Sequence, residues 1–328
     1  LLLDSYLGAA IEVDVDLISD GEDCFVAGIM EHIEEAGVHS GDSACSLPPH
    51  SLGKDIIERI KFQSSLLAKE LAVVGLMNIQ FAVKDNEIYI LEVNPRASRT
   101  IPFISKTTGI PLANLGAKLM IGQKLSNLPF HRKDLNYVAV KEAILPFDRL
   151  PGSDTVLTPE MRSTGEVMGI AENFEGAFFK SQVSAGMQFP KSGGIFLSIK
   201  DKDKSKEMGE ACKILKKIGF KILATKGTKS FLDSKGIESS LVKKVYEGRP
   251  NIVDLLKDKK IAIVMNTTEG KQSLEDSKDI RYLALHNKTP YYTTARGIIA
   301  TIKSLKENIG GKVLVKAIQE YHSQLITD

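Results

Sequence analysis

The segment GLMNIQFAVKDNEIYILEVNPRASR, residues 75–99, alternates apolar and polar side chains on both sides of a short polar turn. Alternation with a period of two is typical of β-strands, so the segment predicts a hairpin that turns near residues 85–87. A two-residue loop would place Gln80 and Glu92 on opposite faces. A three-residue loop pairs Gln80 with Glu92 and gathers the apolar residues on one face. We predict this second register, with a bulge in the loop.

The predicted register brings oxygen-bearing side chains together at one end of the hairpin. Gln80 and Glu92 face each other, and Asn94 follows on the same strand. Hard cations such as Mg²⁺ prefer oxygen ligands, which amides and carboxylates supply. Arg96 and Arg99 come next and could hold phosphate oxygens. A solvated polar face of an edge hairpin remains the alternative from these residues alone.

Earlier in the chain, residues 11–18 alternate acidic and apolar side chains, which predicts a half-buried strand. Residues 24–30 predict a second strand paired with it. We expect Asp14 and Asp16 to be solvated or ion-paired. Two helices are also predicted: Ser51 caps one that runs to about Val74, and Pro111 opens one that ends near Gly122.

Beyond Gly194 the pattern becomes a regular alternation of strands and helices, which predicts a parallel, doubly wound sheet. The predicted strands are 195–199, 221–225, 240–242, 261–265 and 290–293. The predicted helices are 203–217, 228–235, 251–257, 273–286, 296–307 and a last amphipathic one around 312–325. The linker-like residues Gln188–Gly194 suggest two domains, 1–190 and 191–328.

The composition is that of an ordinary globular protein, with 43% hydrophobic and 26% charged residues among 328. This excludes a fibre and a wholly disordered chain, and the absence of an apolar run of about 18 residues argues against a membrane protein. Three cysteines without a CxxC pair favour a reducing, cytoplasmic location. Because the chain begins with Leu1, we expect a fragment of a longer chain.

The net charge of +2 conceals an asymmetry between the two predicted domains. Residues 1–190 carry 16 Lys and Arg against 25 Asp and Glu, whereas residues 191–328 carry 27 against 16. An acidic half suits metal ions and a basic half suits phosphates, although both surpluses could also be solvated surface. The basic half has no aromatic interleaving, so we expect no nucleic-acid partner.

Two strand ends in the basic half predict an anion site. Thr225-Lys226-Gly227-Thr228 lies between a strand and a helix, and Asn266-Thr267-Thr268 ends the strand 261–265. Ligands of doubly wound sheets bind at the carboxyl ends of strands, and helix N-termini bind anions. Ordinary strand–helix turns remain the alternative.

Four motifs give the sequence a family resemblance. LEVNPRASRT, residues 91–100, resembles the metal-binding signature of ATP-grasp ligases. Together with MEHIE at 30–34, GVHSGDS at 37–43 and MRSTGEVMG at 161–169, it resembles the large chain of carbamoyl phosphate synthetases. The resemblance implies a mixed α/β and α+β fold: part of an ATP-grasp domain followed by a methylglyoxal synthase-like (MGS-like) allosteric domain.

The activity that this resemblance implies is the ATP-dependent phosphorylation of carbamate, for pyrimidine and arginine biosynthesis. It implies the following roles. The Mg²⁺ or Mn²⁺ ligands are Gln80, Glu92 and Asn94, and the catalytic residues are Glu92, Arg96 and Arg99. The residues around ATP are Leu7, Glu12, Gly37, Val38, His39, Ser40, Gln80 and Glu92. A K⁺ site takes Glu12, His32, Glu34, Val38 and Ser43.

The resemblance also implies two effector sites. A UMP or IMP site takes Lys204, Thr225, Thr228, Lys244, Asn266 and Thr268, and an ornithine site takes Glu34, Asp42, Glu142, Tyr291 and Thr293. The family has His where Lys226 stands, which could alter nucleotide preference. The implied partners are the remainder of the large chain and a glutaminase small subunit.

Two other functions stay open. The chain could be a binding and regulatory module that is inactive without the rest of the enzyme. It could also be a lyase like methylglyoxal synthase. Thr267-Thr268-Glu269-Gly270 argues against the lyase, because it replaces that enzyme's glycine-rich Gly-Asp segment.

Overall fold

Two β-sheets organise the chain. The computed structural model describes residues 7–8, 10–130, 134–147, 155–268, 270–309, 313–323 and 325. Within these residues, the first sheet is antiparallel and has the strand order β5-β4-β1-β2-β3-β6-β7. Its strands are β1 (Ile11–Asp20), β2 (Cys24–Glu35), β3 (Cys45–Leu47), β4 (Val74–Lys84), β5 (Glu87–Asn94), β6 (Val138–Ile144) and β7 (Gly165–Ala171).

Four helices accompany this sheet. They are α1 (Lys54–Glu70), α2 (Ile101–Thr108), α3 (Leu112–Met120) and α4 (Phe174–Ser184). Gly53 precedes α1, and Ser51, which was expected to cap the helix, instead donates its hydroxyl hydrogen to Glu31. That prediction of the cap was therefore wrong. Pro111 does stand at the start of α3, as predicted.

The second sheet confirms the predicted parallel, doubly wound arrangement. Its order is β10-β9-β8-β11-β12. Its strands are β8 (Gly194–Ser198), β9 (Lys221–Ala224), β10 (Ser240–Leu241), β11 (Ile261–Asn266) and β12 (Tyr291–Tyr292). The remaining helices are α5 (Lys206–Lys217), α6 (Lys226–Ser234), α7 (Ile252–Lys257), α8 (Gly270–Asp276), α9 (Lys278–His286), α10 (Ala295–Ile309) and α11 (Ile318–Ser323).

Apolar layers cover both faces of this parallel sheet. Leu215 of α5 and Ile302 of α10 belong to one buried cluster, and Leu256 of α7 and Ala284 of α9 belong to the other. Strands covered on both faces have continuous apolar sequences, which is why the pattern after Gly194 was informative. Within the described residues, no helix combines the length and the apolar character that crossing a membrane requires.

Strand β1 differs from its prediction. It was expected to be half-buried, but it is an interior strand of the sheet, with Glu12 4%, Asp14 2% and Asp16 0% exposed. Apolar residues cover one face, whereas Thr100 contacts Asp16 on the other face. The alternation along β1 therefore separates an apolar buried layer from a polar buried layer.

The hairpin of β4 and β5 is partly as predicted. Gln80 pairs with Glu92 and Asn78 with Asn94, but Lys84 pairs with Glu87, so the loop has two residues and not three. The shift in register falls between Gln80 and the next residue, where β5 is bulged. Asp85 and Asn86 adopt φ of 51° and 63°, a conformation that these residue types tolerate and that two-residue hairpin loops require.

The bulge also changes where the apolar residues of β5 lie. Tyr89, Ile90 and Leu91 are all exposed, between 41% and 48%, on this edge strand. Ile90 pairs with Phe81 and Tyr89 with Ala82, so the apolar residues of β5 lie on both faces, and the expectation that one face gathers the apolar residues of the hairpin was wrong.

The two parts of the chain contact each other through α10, β12 and α11. Arg296 of α10 forms an ion pair with Glu31 of β2, and the Tyr292 hydroxyl donates to Gln182 Oε1 of α4 at 3.2 Å. Helix α11 is shorter than expected and returns to the first part, where His322 Nε2 lies 2.7 Å from the Lys106 carbonyl oxygen. The expected helix also includes residues 312 and 324, which lie outside the described residues.

Candidate functional site

A polar cavity of about 330 Å³ opens at the β5 side of the first sheet. It collects seven of the residues singled out from the sequence: His39, Ser40, Gln80, Glu92, Asn94, Arg96 and Arg99. It also collects residues to which the sequence gave no role at the site: Asp14, Gly41, Asn78, Ser98, Thr100 and Glu166. Distant segments of the chain therefore converge on one site.

Two rows of polar side chains form the floor of this cavity. Asp14 pairs with Gln80 and Gln80 with Glu92 across β1, β4 and β5. Asp16, Asn78 and Asn94 form the next row in the same way. Directly paired residues of an antiparallel sheet project to the same face, so the register alone aligns these six side chains.

The loop after β5 is held against this floor by Asp16. The Thr100 hydroxyl and Asn78 Nδ2, the latter at 3.2 Å, both donate to its carboxylate, and Ser98 Oγ lies 2.8 Å from Thr100 Oγ1. Complete burial raises the pKa of Asp16 to about 6, although these hydrogen bonds oppose the rise. The loop that carries Arg96 and Arg99 is thus anchored from below while both guanidinium groups stay exposed.

The segment 39–43 closes another side of the cavity. His39 Nδ1 accepts the Gly41 N–H at 3.0 Å, and Gln80 Nε2 donates to Ser40 Oγ at 3.4 Å. Asp42 is buried and accepts the backbone N–H groups of Arg162 and Ser163, each at 2.8 Å. Two of the four sequence motifs are therefore joined by one carboxylate.

Lys141 is a buried cation beneath this segment, and it was missed from the sequence. Its Nζ donates to the Ser40 carbonyl oxygen at 3.2 Å and lies 3.7 Å from Glu166 Oε1, with the side chain 1% exposed. Burial would lower the pKa of Lys141, but the neighbouring Cys45 and carboxylates raise it. Two charged residues, Lys141 and Glu142, within an otherwise apolar strand were the available signal.

The residues expected around K⁺ lie next to the cavity and do not line it. His32 Nδ1 lies 3.8 Å from Glu12 Oε1, and Glu34 Oε2 accepts the Ala44 N–H at 2.7 Å. Ser43 Oγ donates to the His39 carbonyl oxygen at 3.4 Å. Burial raises the pKa of both Glu12 and Glu34, against the effect of nearby charges and backbone donors. Gly37 donates its N–H to Glu12 Oε2 at 3.4 Å, and half-buried Val38 follows it.

Leu7 is half-buried ahead of β1, its carbonyl oxygen accepts the Ala10 N–H at 3.4 Å, and it is not among the residues that line the cavity. Within the part of the chain that the structure describes, no three His, Cys, Asp or Glu side chains cluster as a metal site would require. A divalent cation at the hairpin would thus depend on the amide oxygens of Gln80 and Asn94 as well as on Glu92. This all-oxygen set suits Mg²⁺ or Mn²⁺, which take few carboxylates and share phosphates as ligands.

The strand ends of the second sheet form a separate polar cluster. Thr225 Oγ1 donates to Thr228 Oγ1 at 3.2 Å, and Thr228 Oγ1 accepts the Ile199 N–H at 2.8 Å. Lys204 Nζ lies 2.5 Å from Asp201 Oδ1, and it approaches the backbone of Gly227 at the start of α6. Lysines 204 and 244 both lower the pKa of Asp201, with the hydrogen bond from Lys204 the larger cause.

Asn266 ends β11 beside this cluster and is 4% exposed. Its Nδ2 donates to the Tyr291 hydroxyl at 3.3 Å. Thr268, two residues further on, is half-buried. Four of the six residues expected to bind a nucleotide thus lie after β9 or at or just beyond the end of β11, the two strands that flank β8: Thr225, Thr228, Asn266 and Thr268.

The residues expected to bind ornithine divide between two places. Burial raises the pKa of Glu142 to about 8, and the negative charge of nearby Glu34 is the second-largest cause of this rise. Gln182 donates to Glu142 and accepts from the Tyr292 hydroxyl. Tyr291 instead contacts Asn266, and Thr293 is exposed after β12.

Comparisons with known proteins match both parts of the chain. Residues 1–128 match the family model "Carbamoyl-phosphate synthase L chain, ATP binding domain", and residues 207–293 match the MGS-like domain. Among solved structures, the biotin carboxylase domain of a single-chain bacterial carboxylase aligns with a TM-score of 0.44 at 16% identity, covering 58% of this chain and 49% of that one. That likeness is too distant to carry an argument.

Curated relatives match nearly the whole chain. The carbamoyl phosphate synthase large chain of Rhizobium meliloti is 50% identical over 98% of this chain, and that of Methanothermobacter thermautotrophicus is 51% identical over 98%. The chain spans 28% and 31% of the lengths of these two relatives. With both domain types matched and about half of the residues identical, the chain belongs to the carbamoyl phosphate synthase large-chain family.

Proposed function

We propose that residues 1–190 form part of an ATP-grasp site that phosphorylates carbamate to carbamoyl phosphate. The observation that carries this proposal is the shared cavity of Gln80, Glu92, Asn94, Arg96 and Arg99. Oxygen ligands for a divalent cation and two guanidinium groups for oxyanions are the parts that phosphoryl transfer requires. The remainder of the large chain and a glutaminase small subunit would complete the enzyme.

In this proposal the residues act by positioning and by charge. Gln80, Glu92 and Asn94 hold Mg²⁺ or Mn²⁺, and Arg96 and Arg99 neutralise the oxygens of carbamate and of the transferring phosphoryl group. The bound cation neutralises charge on the ATP phosphates. The anchored loop after β5 keeps both arginines in place without a large reorganisation, which favours the transition state over the free reactants.

The first test is Glu92→Gln in the full-length enzyme that carries this sequence. We expect ADP formation from carbamate to fall by about 100-fold or more, because the only carboxylate of the proposed ligand set becomes neutral. Glu87→Gln is the matched control, since Glu87 lies on the same strand but is exposed outside the cavity. Full activity of Glu92→Gln would contradict the proposal.

We further propose that turnover needs the rest of the longer chain, because this chain spans less than a third of its relatives. Measurable ADP formation by the chain alone, with Mg·ATP and carbamate, would contradict this point. If the isolated chain binds nucleotide but does not turn over, the result supports the proposal.

We also propose that the second sheet binds a phosphate-bearing effector, UMP or IMP, at its strand ends. The cluster of Thr225, Thr228 and Lys204 at the start of α6 supports this assignment. Calorimetric titration of UMP into the full chain tests it. Lys204→Met should weaken binding by about 10-fold or more, whereas Lys216→Met, whose partner Glu238 is exposed, should not. No heat with UMP or IMP would contradict the assignment.

An ornithine response would use Glu34, Asp42 and Glu142, whose carboxylates suit an ammonium group. Ornithine titrated into the same chain tests this part separately. Absence of binding would reject ornithine without affecting the nucleotide site.

A further inference from the structure

Asp14 stands at the end of the cavity-floor row that also holds Gln80 and Glu92. Its Cα pairs directly with that of Gln80, which pairs with that of Glu92. All three residues line the same cavity. Asp14 therefore lies, on β1, in the same cross-strand row as Gln80 and Glu92, the residues that hold the cation in the proposed function.

The two carboxylate oxygens of Asp14 have different surroundings. Oδ2 lies 3.0 Å from His32 Nε2, and the His32 side chain is 1% exposed. Oδ1 is buried and has no hydrogen-bond partner among the described residues, although Asp14 is only 2% exposed. Buried polar atoms almost always have partners, so an unsatisfied carboxylate oxygen at a cavity wall points to a ligand that satisfies it.

Among the described residues, no neighbouring side chain forms a hydrogen bond with this oxygen. Gln80 Nε2 donates to Ser40 Oγ, and Asn78 Nδ2 donates to Asp16 Oδ1. The contact between His32 Nε2 and Asp14 Oδ2, at 3.0 Å, fixes the orientation of the Asp14 carboxylate. The remaining oxygen is thus held in a defined place on the cavity side of the sheet.

We propose that Asp14 is a positioning residue of the cation site and that its free oxygen accepts a hydrogen bond from a water of the hydrated divalent cation. This rests on the proposed function, in which Gln80, Glu92 and Asn94 hold that cation. Mg²⁺ gives up its water reluctantly and usually keeps several water molecules in protein sites. A carboxylate beside the ligands orients such water, and loss of such partners typically costs 10- to 100-fold in metal affinity.

The test is Mn²⁺ binding to the full chain, measured by electron paramagnetic resonance with and without ADP. Asp14→Asn keeps the shape of the side chain and removes its charge, and we expect it to weaken Mn²⁺ binding by about 10- to 100-fold. Asp20→Asn is the matched control on the same strand, because Asp20 lies at the end of β1 outside the cavity and its carboxylate accepts backbone N–H groups. We expect Asp20→Asn to change the Mn²⁺ affinity by less than about 3-fold.

Glu92→Gln separates this inference from the proposed function. If Glu92→Gln abolishes Mn²⁺ binding and Asp14→Asn leaves it unchanged, the role of Asp14 is refuted and the cation site stands. If neither variant changes Mn²⁺ binding, the proposed function fails as well. Should Asp14→Asn not fold, Asp14→Ser, which leaves room for a water, takes its place with the same expected loss.

Discussion

Replacing Arg296 by methionine should weaken the contact between the two parts of the chain. Its guanidinium pairs with Glu31, which is 0% exposed, whereas the Arg296 side chain is 25% exposed. Glu31 also accepts the N–H groups of His50 at 2.9 Å and Ser51 at 2.8 Å. A methionine keeps most of the apolar stem and removes the charge together with the N–H donors to Glu31.

The expected loss in the free energy of unfolding depends on the hydrogen bonds that the Glu31 carboxylate retains. A hydrogen bond to a charged group is worth about 1.5–3 kcal/mol, and stripping a buried ion of its partner costs about 3–5 kcal/mol. Because backbone donors still solvate the Glu31 carboxylate, we expect a loss near the lower range, about 2 kcal/mol. Glu31→Gln with Arg296→Met should show a coupling of about 1–2 kcal/mol in a double-mutant cycle.

The assay is urea unfolding followed by circular dichroism, with hydrogen exchange of the α10 amides as the local readout. Lys303→Met is the matched control, because Lys303 lies on the same helix and pairs at 2.9 Å with Glu207, which is 62% exposed. Exposed pairs contribute about 0–1 kcal/mol. The reasoning is refuted if Arg296→Met costs no more than Lys303→Met, or if the cycle shows no coupling.

Three further predictions concern single positions. Because burial raises the pKa of Asp16 to about 6, from a usual value near 4, its ionisation should remove stability as pH rises through this range. As the pH rises from about 5 to about 8, the free energy of unfolding of Asp16→Asn should therefore increase by about 1.4 kcal/mol relative to that of the parent, as measured by urea unfolding. A difference that does not change with pH would contradict this. Burial raises the pKa of Cys212 to about 12, so iodoacetamide should label half-buried Cys24 much faster than Cys212. Equal labelling rates of the two cysteines, measured by mass spectrometry, would refute this prediction. A Cβ on Gly169 would lie 2.2 Å from the Ala177 carbonyl oxygen. Gly169→Ala should therefore lower the free energy of unfolding by about 3 kcal/mol, because it forces α4 away from β7. An unchanged Tm would show that the two elements can separate freely.

The strands and helices could be predicted where only one arrangement of them satisfies the pattern of apolar and polar residues. The alternation after Gly194 correctly indicated a parallel, doubly wound sheet, because buried parallel strands are apolar along their whole length. The pairing of Gln80 with Glu92 was predicted, but for an incomplete reason. The loop has two residues, and a bulge in β5 restores the pairing that a three-residue loop was expected to give.

The candidate site was predictable only in its local parts. Glu92, Asn94, Arg96 and Arg99 belong to one continuous motif, so their proximity follows from chain connectivity. Lys141 was missed because nothing near it in sequence indicates that its ammonium group lies under Ser40, about 100 residues away. The same holds for Arg296, whose partner Glu31 is 265 positions earlier in the chain.

The sequence by itself determined most element types, the pairing of Gln80 with Glu92 and the family, because each rests on local periodicity or on contiguous motifs. The tertiary structure alone decided which carboxylates are buried and what each of them contacts. Asp14 and Asp16 look alike in sequence, yet Thr100 and Asn78 satisfy Asp16, while one oxygen of Asp14 has no partner among the described residues. Burial and hydrogen bonding depend on segments that meet only when the sheet forms, and no pattern along β1 contains that information.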